Sequence, residues 1–287
     1  MLVLSVAATA VHAEDVLGRI REKKTITIAY RDAAFPFSFL DQDKKPVGYS
    51  IDLCLKLADA IKQQLKLPQL AIAYVPATSD NRMDLIQNGK ADLECGATTN
   101  TAERRKSVAF TIPHFVAGER MLVKTDSNIK NWPDLRNKKV AVTKGTTNLK
   151  PLEGRGQVRA LNLKVVDGRD HNDSFHILET GGADAFATDD VLLYGLKATA
   201  KNPSAYAVVG DPLTTEPYAI MLSKTDPAFK KFVDGEMSRI IHDYEINKLY
   251  DKWFLKPIPA KDNFTLNMPM SYLFRDSLRF PTDQVGN

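Results

Sequence analysis

The sequence predicts an α/β protein of two lobes with like topology, each built round a parallel-rich sheet flanked by helices. Three observations carry this. Two stretches of the chain each alternate strand, helix, strand, helix and strand, the order that gives parallel sheets with right-handed crossovers. A short echo, Leu85-Ile-Gln-Asn-Gly-Lys-Ala-Asp92 against Ile177-Leu-Glu-Thr-Gly-Gly-Ala-Asp184, repeats at an offset of 92 residues. Two extended apolar segments, Thr111–Lys124 and Glu216–Ser223, follow the units as crossover strands between lobes.

In the first unit, Thr25–Tyr30 alternates and is rich in branched residues, so it reads as a strand. Ile51, Leu55, Ala58 and Ile61 recur at helical spacing, with Ser50 as the expected N-cap. Leu70–Val75 is the second strand, Arg82–Asn88 a short helix stopped by Gly89, and Asp92–Ala97 the third strand. In the second unit the strands are Lys139–Thr143, Leu163–Val166 and Ala183–Thr188. A helix is expected to start over Thr146–Leu152, and another covers Ser174–Thr180. Asp226 and Pro227 then open a long amphipathic helix striped by Phe229, Phe232, Val233, Met237, Ile240, Ile241 and Tyr244. Tyr250, Trp253 and Phe254 continue its apolar surface as an anchor. The tail from Pro257 reads as irregular and wraps the first lobe. The expected division is 14–115 plus 213–287 for lobe one and 116–212 for lobe two.

Composition narrows the function. The chain of 287 residues is 44% hydrophobic and 26% charged, which suits a folded globular protein. The net charge of +4 comes from interspersed signs, so no nucleic-acid surface is expected. No apolar run reaches the roughly 18 residues of a spanning helix. Residues 2–13 form an apolar run ending in small residues before Glu14-Asp15, the pattern of an export signal cleaved after Ala13. In an oxidising compartment Cys54 and Cys95 either pair or stay as inert buried thiols. No cofactor and no metal are expected. Phosphate-binding GxxxxGK[ST], GxSxG and GxGxxG patterns are absent from the sequence.

Ligands of open α/β sheets bind beyond the carboxyl ends of the strands, and two such lobes face each other across a cleft. The strand ends place Arg31, Ser79, Arg82, Ala97, Thr98, Thr99 and Arg104 on one wall. Thr143, Thr146, His171 and Asp189 stand on the other, with Asp190 as the rival to Asp189. The 92-residue offset maps Ser79 onto His171, Arg82 onto Ser174 and Ala97 onto Asp189. Three guanidiniums against one carboxylate make an anion site with one cationic corner. A dicarboxylic amino acid has that charge distribution. Arg is the suited residue because it grips planar carboxylates bidentately and stays charged when desolvated. Thr146 follows Gly145 and is expected to open a helix whose first amides point at the anion. Arg105 reads as solvated and His114 as packing.

Several motifs together resemble the periplasmic solute-binding proteins of polar amino-acid ABC importers, family 3, within the glutamate/aspartate-binding branch. They are Phe35-Pro-Phe-Ser38, Gly48-Tyr-Ser-Ile-Asp-Leu53, Thr78-Ser-Asp-Asn-Arg82, Glu94-Cys-Gly-Ala-Thr-Thr-Asn100, Glu103-Arg104, Gly145-Thr-Thr147, Asp170-His-Asn-Asp-Ser-Phe175 and Trp253-Phe254. The resemblance spans about Val16 to Pro259. It implies a type II periplasmic-binding-protein-like fold, a monomer without catalysis that closes its lobes on an acidic amino acid and hands it to an inner-membrane ABC permease. It also implies that Arg104 grips the α-carboxylate and Asp189 the α-ammonium. Ala97 departs from the branch, which carries Ser there, and glutamine or another dicarboxylate is the alternative ligand. A cyclohexadienyl-dehydratase-like enzyme on the same fold is the rival. It requires a general acid facing the cleft, and strand parity turns Glu94 to the core or the wrong edge.

Overall fold

The computed structural model describes residues 15–261 and 263–285. The apolar run 2–13 read as an export signal lies outside the described residues. The chain opens with helix α1 (Val16–Lys23), which the sequence reading did not anticipate. Asp15 caps it by accepting from the Gly18 amide at 2.7 Å. Strand β1 (Thr25–Tyr30) follows as expected, and a small three-stranded sheet of β2 (Ala33–Ala34), β3 (Ser38–Leu40) and β4 (Pro46–Val47) covers its end.

Helix α2 (Tyr49–Gln64) begins two residues before the expected start, with Gly48 and not Ser50 at the cap. Ser50 is buried and donates to the Gly96 carbonyl at 2.8 Å, so its hydroxyl is spent on tertiary structure. Then come β5 (Ala71–Pro76), α3 (Arg82–Gln87), β6 (Leu93–Cys95) and β7 (Ala109–Phe110). The chain leaves through β8 (Phe115–Ala117) and enters the second sheet as β9 (Glu119–Lys124). There it forms β10 (Lys139–Thr143), α4 (Leu149–Val158), β11 (Lys164–Gly168), α5 (His171–Glu179), β12 (Ala185–Asp189), α6 (Asp190–Thr199) and β13 (Tyr206–Val209). It returns through β14 (Glu216–Tyr218) into β15 (Met221–Leu222), then α7 (Pro227–His242), α8 (Glu245–Tyr250) and α9 (Tyr272–Arg279).

The two five-stranded sheets have the same order. It is β5-β1-β6-β15-β7 in one and β11-β10-β12-β9-β13 in the other. In each, three parallel strands come from one βαβαβ unit, and the fourth is an antiparallel crossover strand. β8 and β14 pair antiparallel between the sheets, Phe115 opposite Tyr218 and Ala117 opposite Glu216. Each extended segment therefore breaks into two strands, one for the hinge and one for a sheet.

Alternation decides what the strands bury. Ile26 and Ile28 of β1 face the main core with Leu53, Leu57 and Ile61 of α2 and Phe229, Val233, Met237 and Ile240 of α7. Ala29 faces the opposite cluster, with Ile86 of α3. Aromatic rings fix the hinge to this lobe. Phe115 stacks on Phe254 at 5.2 Å and Tyr250 at 6.1 Å, and meets Phe37 edge-on at 5.0 Å. The tail is not irregular throughout, because α9 folds over this cluster and buries Phe274 at 5.6 Å from Phe115.

Two details bear on the cleft. No helix covers Thr146–Asn148: α4 opens only at Leu149. Gly145 takes a left-handed φ of 72°, and the Thr146 hydroxyl donates back to the Thr143 carbonyl at 2.7 Å, closing a turn instead. Conversely α5 opens earlier than expected, capped by Asp170, so His171 lies in a helix's first turn and is buried.

Cys54 of α2 and Cys95 of β6 are joined in a disulfide across 41 residues of chain. Loop closure on that scale limits the unfolded ensemble. Replacing both cysteines by Ala is expected to lower the unfolding free energy by about 2–4 kcal/mol, read by urea denaturation. An unchanged midpoint would mean the bridge constrains nothing.

Candidate functional site

One wall of the cleft is built from the carboxyl ends of β1 and β6 and the start of α3. Arg31, directly after β1, is buried, and its Nη2 donates to Ser79 Oγ at 2.7 Å. Arg82, the first residue of α3, donates from Nη1 to Thr98 Oγ1 at 2.9 Å. Arg104 lies on a 3-10 turn and donates from Nη1 to the Thr99 carbonyl at 2.9 Å. Among the described residues, Arg31 Nη1 and Arg82 Nε are buried without a hydrogen-bond partner. Burial disfavours the charged form of all three, and Arg82 adds repulsion to the other two; Arg31 is pushed down to about 10. Arg31 and Arg82, held out of water with donors unspent, form a site that an anion would relax.

Glu94 partly offsets them from below. It is fully buried, and its Oε2 accepts from Thr98 Oγ1 at 2.7 Å. A Cβ on Gly96 would meet Glu94 Oε1 at 2.5 Å and Arg31 Cγ at 2.7 Å, so carboxylate and guanidinium stem close on the same glycine. Strand parity gave its burial and not its place beneath the arginines. Ala97 lies beside this wall at 7% exposure and joins the apolar cluster, with no hydroxyl to offer.

The facing wall is quieter electrically. Thr143, last in β10, pairs its hydroxyl with His171 Nδ1 at 3.0 Å and Ser174 Oγ at 2.7 Å. Burial, then Arg31 and Arg82, push the His171 pKa well below its ordinary value, so the imidazole is neutral. The carbonyl of Gly145 crosses the cleft. It accepts from Arg82 Nη2 at 3.2 Å and Arg104 Nη2 at 3.1 Å. A Cβ at Gly145 would lie 2.5 Å from the Ser79 carbonyl oxygen, so only glycine permits this approach.

The acidic corner is larger than the sequence suggested. Asp189, last in β12, accepts from Asn148 Nδ2 at 2.7 Å and from the Tyr218 hydroxyl. Burial and then Glu216 raise it to about 7. Glu119 of β9 is paired with Asp189 in register, which puts both side chains on one face. It is fully buried with neither carboxyl oxygen hydrogen-bonded among the described residues. Burial first, then Asp189 and Glu216, push it up to about 9, which leaves it protonated at neutral pH. Glu119, Glu216 and Tyr218 escaped the sequence reading because they face Asp189 from crossover and hinge strands, and Asn148 because it reaches Asp189 from the turn before α4. Only the folded chain shows that.

The expected residues fall into bonded groups: Arg31 with Ser79, Arg82 with Thr98 and Arg104 with Thr99, both meeting the Gly145 carbonyl, and Thr143 with His171 and Thr146. Asp189 bonds Asn148 and Tyr218 instead, and Ala97 brings no polar group. Arg105 is corrected: it is half-buried, and donates from Nη1 to Asn100 Oδ1 at 2.8 Å and from Nη2 to the Val285 carbonyl at 3.3 Å. His114 is packed in the core, with Nε2 2.9 Å from Ser50 Oγ. Among the described residues no cluster of His, Cys, Asp and Glu is suited to hold a metal ion. No helix there is long and apolar enough to cross a membrane.

Residues 26–256 match the bacterial extracellular solute-binding proteins, family 3. The chain belongs to this family. As a family 3 protein it is 43% identical over 284 residues to the L-glutamate/L-aspartate-binding protein of Pseudomonas aeruginosa, covering 99% of this chain and 94% of that one. It is 39% identical over 297 residues to the glutamate/aspartate import solute-binding protein of Escherichia coli K12, covering 100% and 97%. Its fold is also that of an ancestral arginine-binding protein solved with arginine, at a TM-score of 0.71 and 29% identity, over 80% of this chain and 98% of that one. The family match ends at Lys256, whereas the match to the E. coli protein runs through the C-terminal tail.

Glu119 gives a stability test. The folded state keeps its proton up to about pH 9, while an unfolded glutamate loses it near its ordinary value of 4.5. Between those values the folded state binds more protons, so stability falls as pH rises through that window. Glu119→Gln is expected to flatten this fall in urea-denaturation free energies measured from pH 5 to 9. An unaltered slope would mean Glu119 does not hold its proton.

Proposed function

We propose that the chain works in the periplasm, where it captures L-glutamate or L-aspartate between its lobes and delivers it to an inner-membrane ABC permease. The observation that carries the reading is the three-arginine wall facing the Asp189 corner, with buried guanidinium nitrogens unspent. The names of the relatives that match nearly the whole chain agree with it.

Each residue has a role in this reading. Arg104, with the Thr99 segment, receives the α-carboxylate as a bidentate partner. Asp189 receives the α-ammonium. Arg31, Arg82 and Ser79 hold the side-chain carboxylate, with Thr98, Thr143 and Thr146 completing its oxygen shell. His171 contributes a neutral imidazole whose Nδ1 is paired with the Thr143 hydroxyl. Lobe one, 14–115 plus 213–287, closes on lobe two, 116–212, about the β8–β14 pair. The protein acts as a monomer and without catalysis. Glu94 agrees with this, because it is buried beneath the arginines with its Oε2 already accepting from Thr98.

Calorimetric titration of Arg82→Ala and Arg104→Ala with glutamate tests the assignment. Each is expected to weaken binding about a hundredfold, the scale of removing one partner of a buried charge pair. Unchanged affinity in either overturns its role.

Affinity is also expected to depend on pH. The free Asp189 carboxyl titrates at about 7, and an ammonium partner would lower that value. Binding below pH 7 must then expel a proton. Glutamate affinity should fall toward about tenfold per unit as pH drops below 7 and level off above it. Titrations at several pH values read this directly, and a flat profile from pH 5 to 8 would remove Asp189 from the ammonium site.

A further inference from the structure

The C-terminal tail reaches back to the turn that carries Arg104. After α9, Asp283 places its backbone carbonyl 3.1 Å from Asn100 Nδ2, which donates to it. Val285 places its carbonyl 3.3 Å from Arg105 Nη2. Lys230 of α7 donates to the Asp283 carboxylate at 2.7 Å, which holds the tail's course against lobe one.

Asn100 is where these ties meet. It is 1% exposed, and each of its groups has a different partner. Its amide donates to the Pro217 carbonyl of hinge strand β14 at 2.8 Å. Its Oδ1 accepts from Arg105 Nη1 at 2.8 Å, and its Nδ2 reaches the tail. Arg105 follows Arg104 in the same 3-10 turn. Lys224 adds a clamp, donating to the carbonyls of Arg105 at 3.0 Å and Lys106 at 3.1 Å.

Arg104 itself is only partly sheltered, and its turn is three residues long. A long cationic side chain on so short an element loses much rotamer freedom when it grips an anion. Prior fixing of the turn lessens that cost. The tail lies beyond the end of the family match and within the match to the E. coli glutamate/aspartate import protein.

We infer that residues 281–285, acting through Asn100 and Arg105, are a positioning strap that preorganises the Arg104 turn for carboxylate binding. The inference rests on the proposed role of Arg104. Asn100 and Arg105 touch no ligand in this account.

The test compares glutamate affinity, by calorimetry, for the full chain, a chain ending at Phe280, and Arg105→Ala in the full chain. Ending at Phe280 keeps α9 and its buried Phe274. Both altered chains are expected to bind glutamate about tenfold more weakly, by the cost of ordering one or two long side chains. A second comparison separates positioning from general support. In an Arg104→Ala background, ending the chain at Phe280 should change affinity less than about twofold, because the element it positions is gone.

Unchanged affinity in both the shortened chain and Arg105→Ala overturns the inference alone. So does a loss of the same size with and without Arg104, since a tail that merely stabilises lobe one weakens both backgrounds equally. Glutamate binding by the full chain is read first. Its absence there would overturn the functional reading, and this inference with it.

Discussion

The structure depends on one constraint: three guanidiniums gathered at the carboxyl ends of a sheet must be met by oxygen. Water is largely excluded there, and Glu94 balances part of the charge from beneath. The facing lobe supplies the Gly145 peptide oxygen to both Arg82 and Arg104. That contact needs a residue without a side chain, because a Cβ would strike the Ser79–Asp80 backbone. The glycine lets the second lobe approach the arginines closely. An acidic ligand would bring stronger acceptors to the same donors.

The rest of the fold serves that approach. Both sheets have the same strand order, so both present strand ends and helix starts to one cleft. The hinge is short and tied to both lobes. The aromatic cluster of Phe37, Phe115, Tyr250 and Phe254 fixes β8 to lobe one. Tyr218, on the partner strand β14, donates to Asp189 of lobe two. The residue that would receive an ammonium is therefore bonded to the hinge itself, which links the ligand corner to lobe closure.

Much of this was legible in the sequence because it rests on local pattern. β1 is read to the residue, and α7 is read with its cap, because alternation and the Asp226-Pro227 start are strong signals. The cleft residues were legible because parallel strands put functional groups at their carboxyl ends. What was missed depends on pairing or on competition for a side chain. Ser50 looked like a cap until the Gly96 carbonyl claimed its hydroxyl. Thr146 looked like a helix start until its hydroxyl folded back on Thr143. Glu119 carries no local signal at all. It matters because β9 lies antiparallel to β12 in the register that sets it opposite Asp189. Arg105 read as solvated because nothing in its own neighbourhood announces a tail arriving from 180 residues away.

The central claim is that the arginine excess of the cleft selects acidic amino acids, on a fold shared with an arginine-binding protein. The measurement that tests it most directly is calorimetric titration of refolded, ligand-stripped protein with glutamate, aspartate, glutamine and arginine in turn. The account predicts binding of glutamate or aspartate at about micromolar dissociation constants or tighter, the affinity of roughly 8 kcal/mol or more, and no heat from arginine. Arginine binding, or silence toward both acidic amino acids, would contradict it.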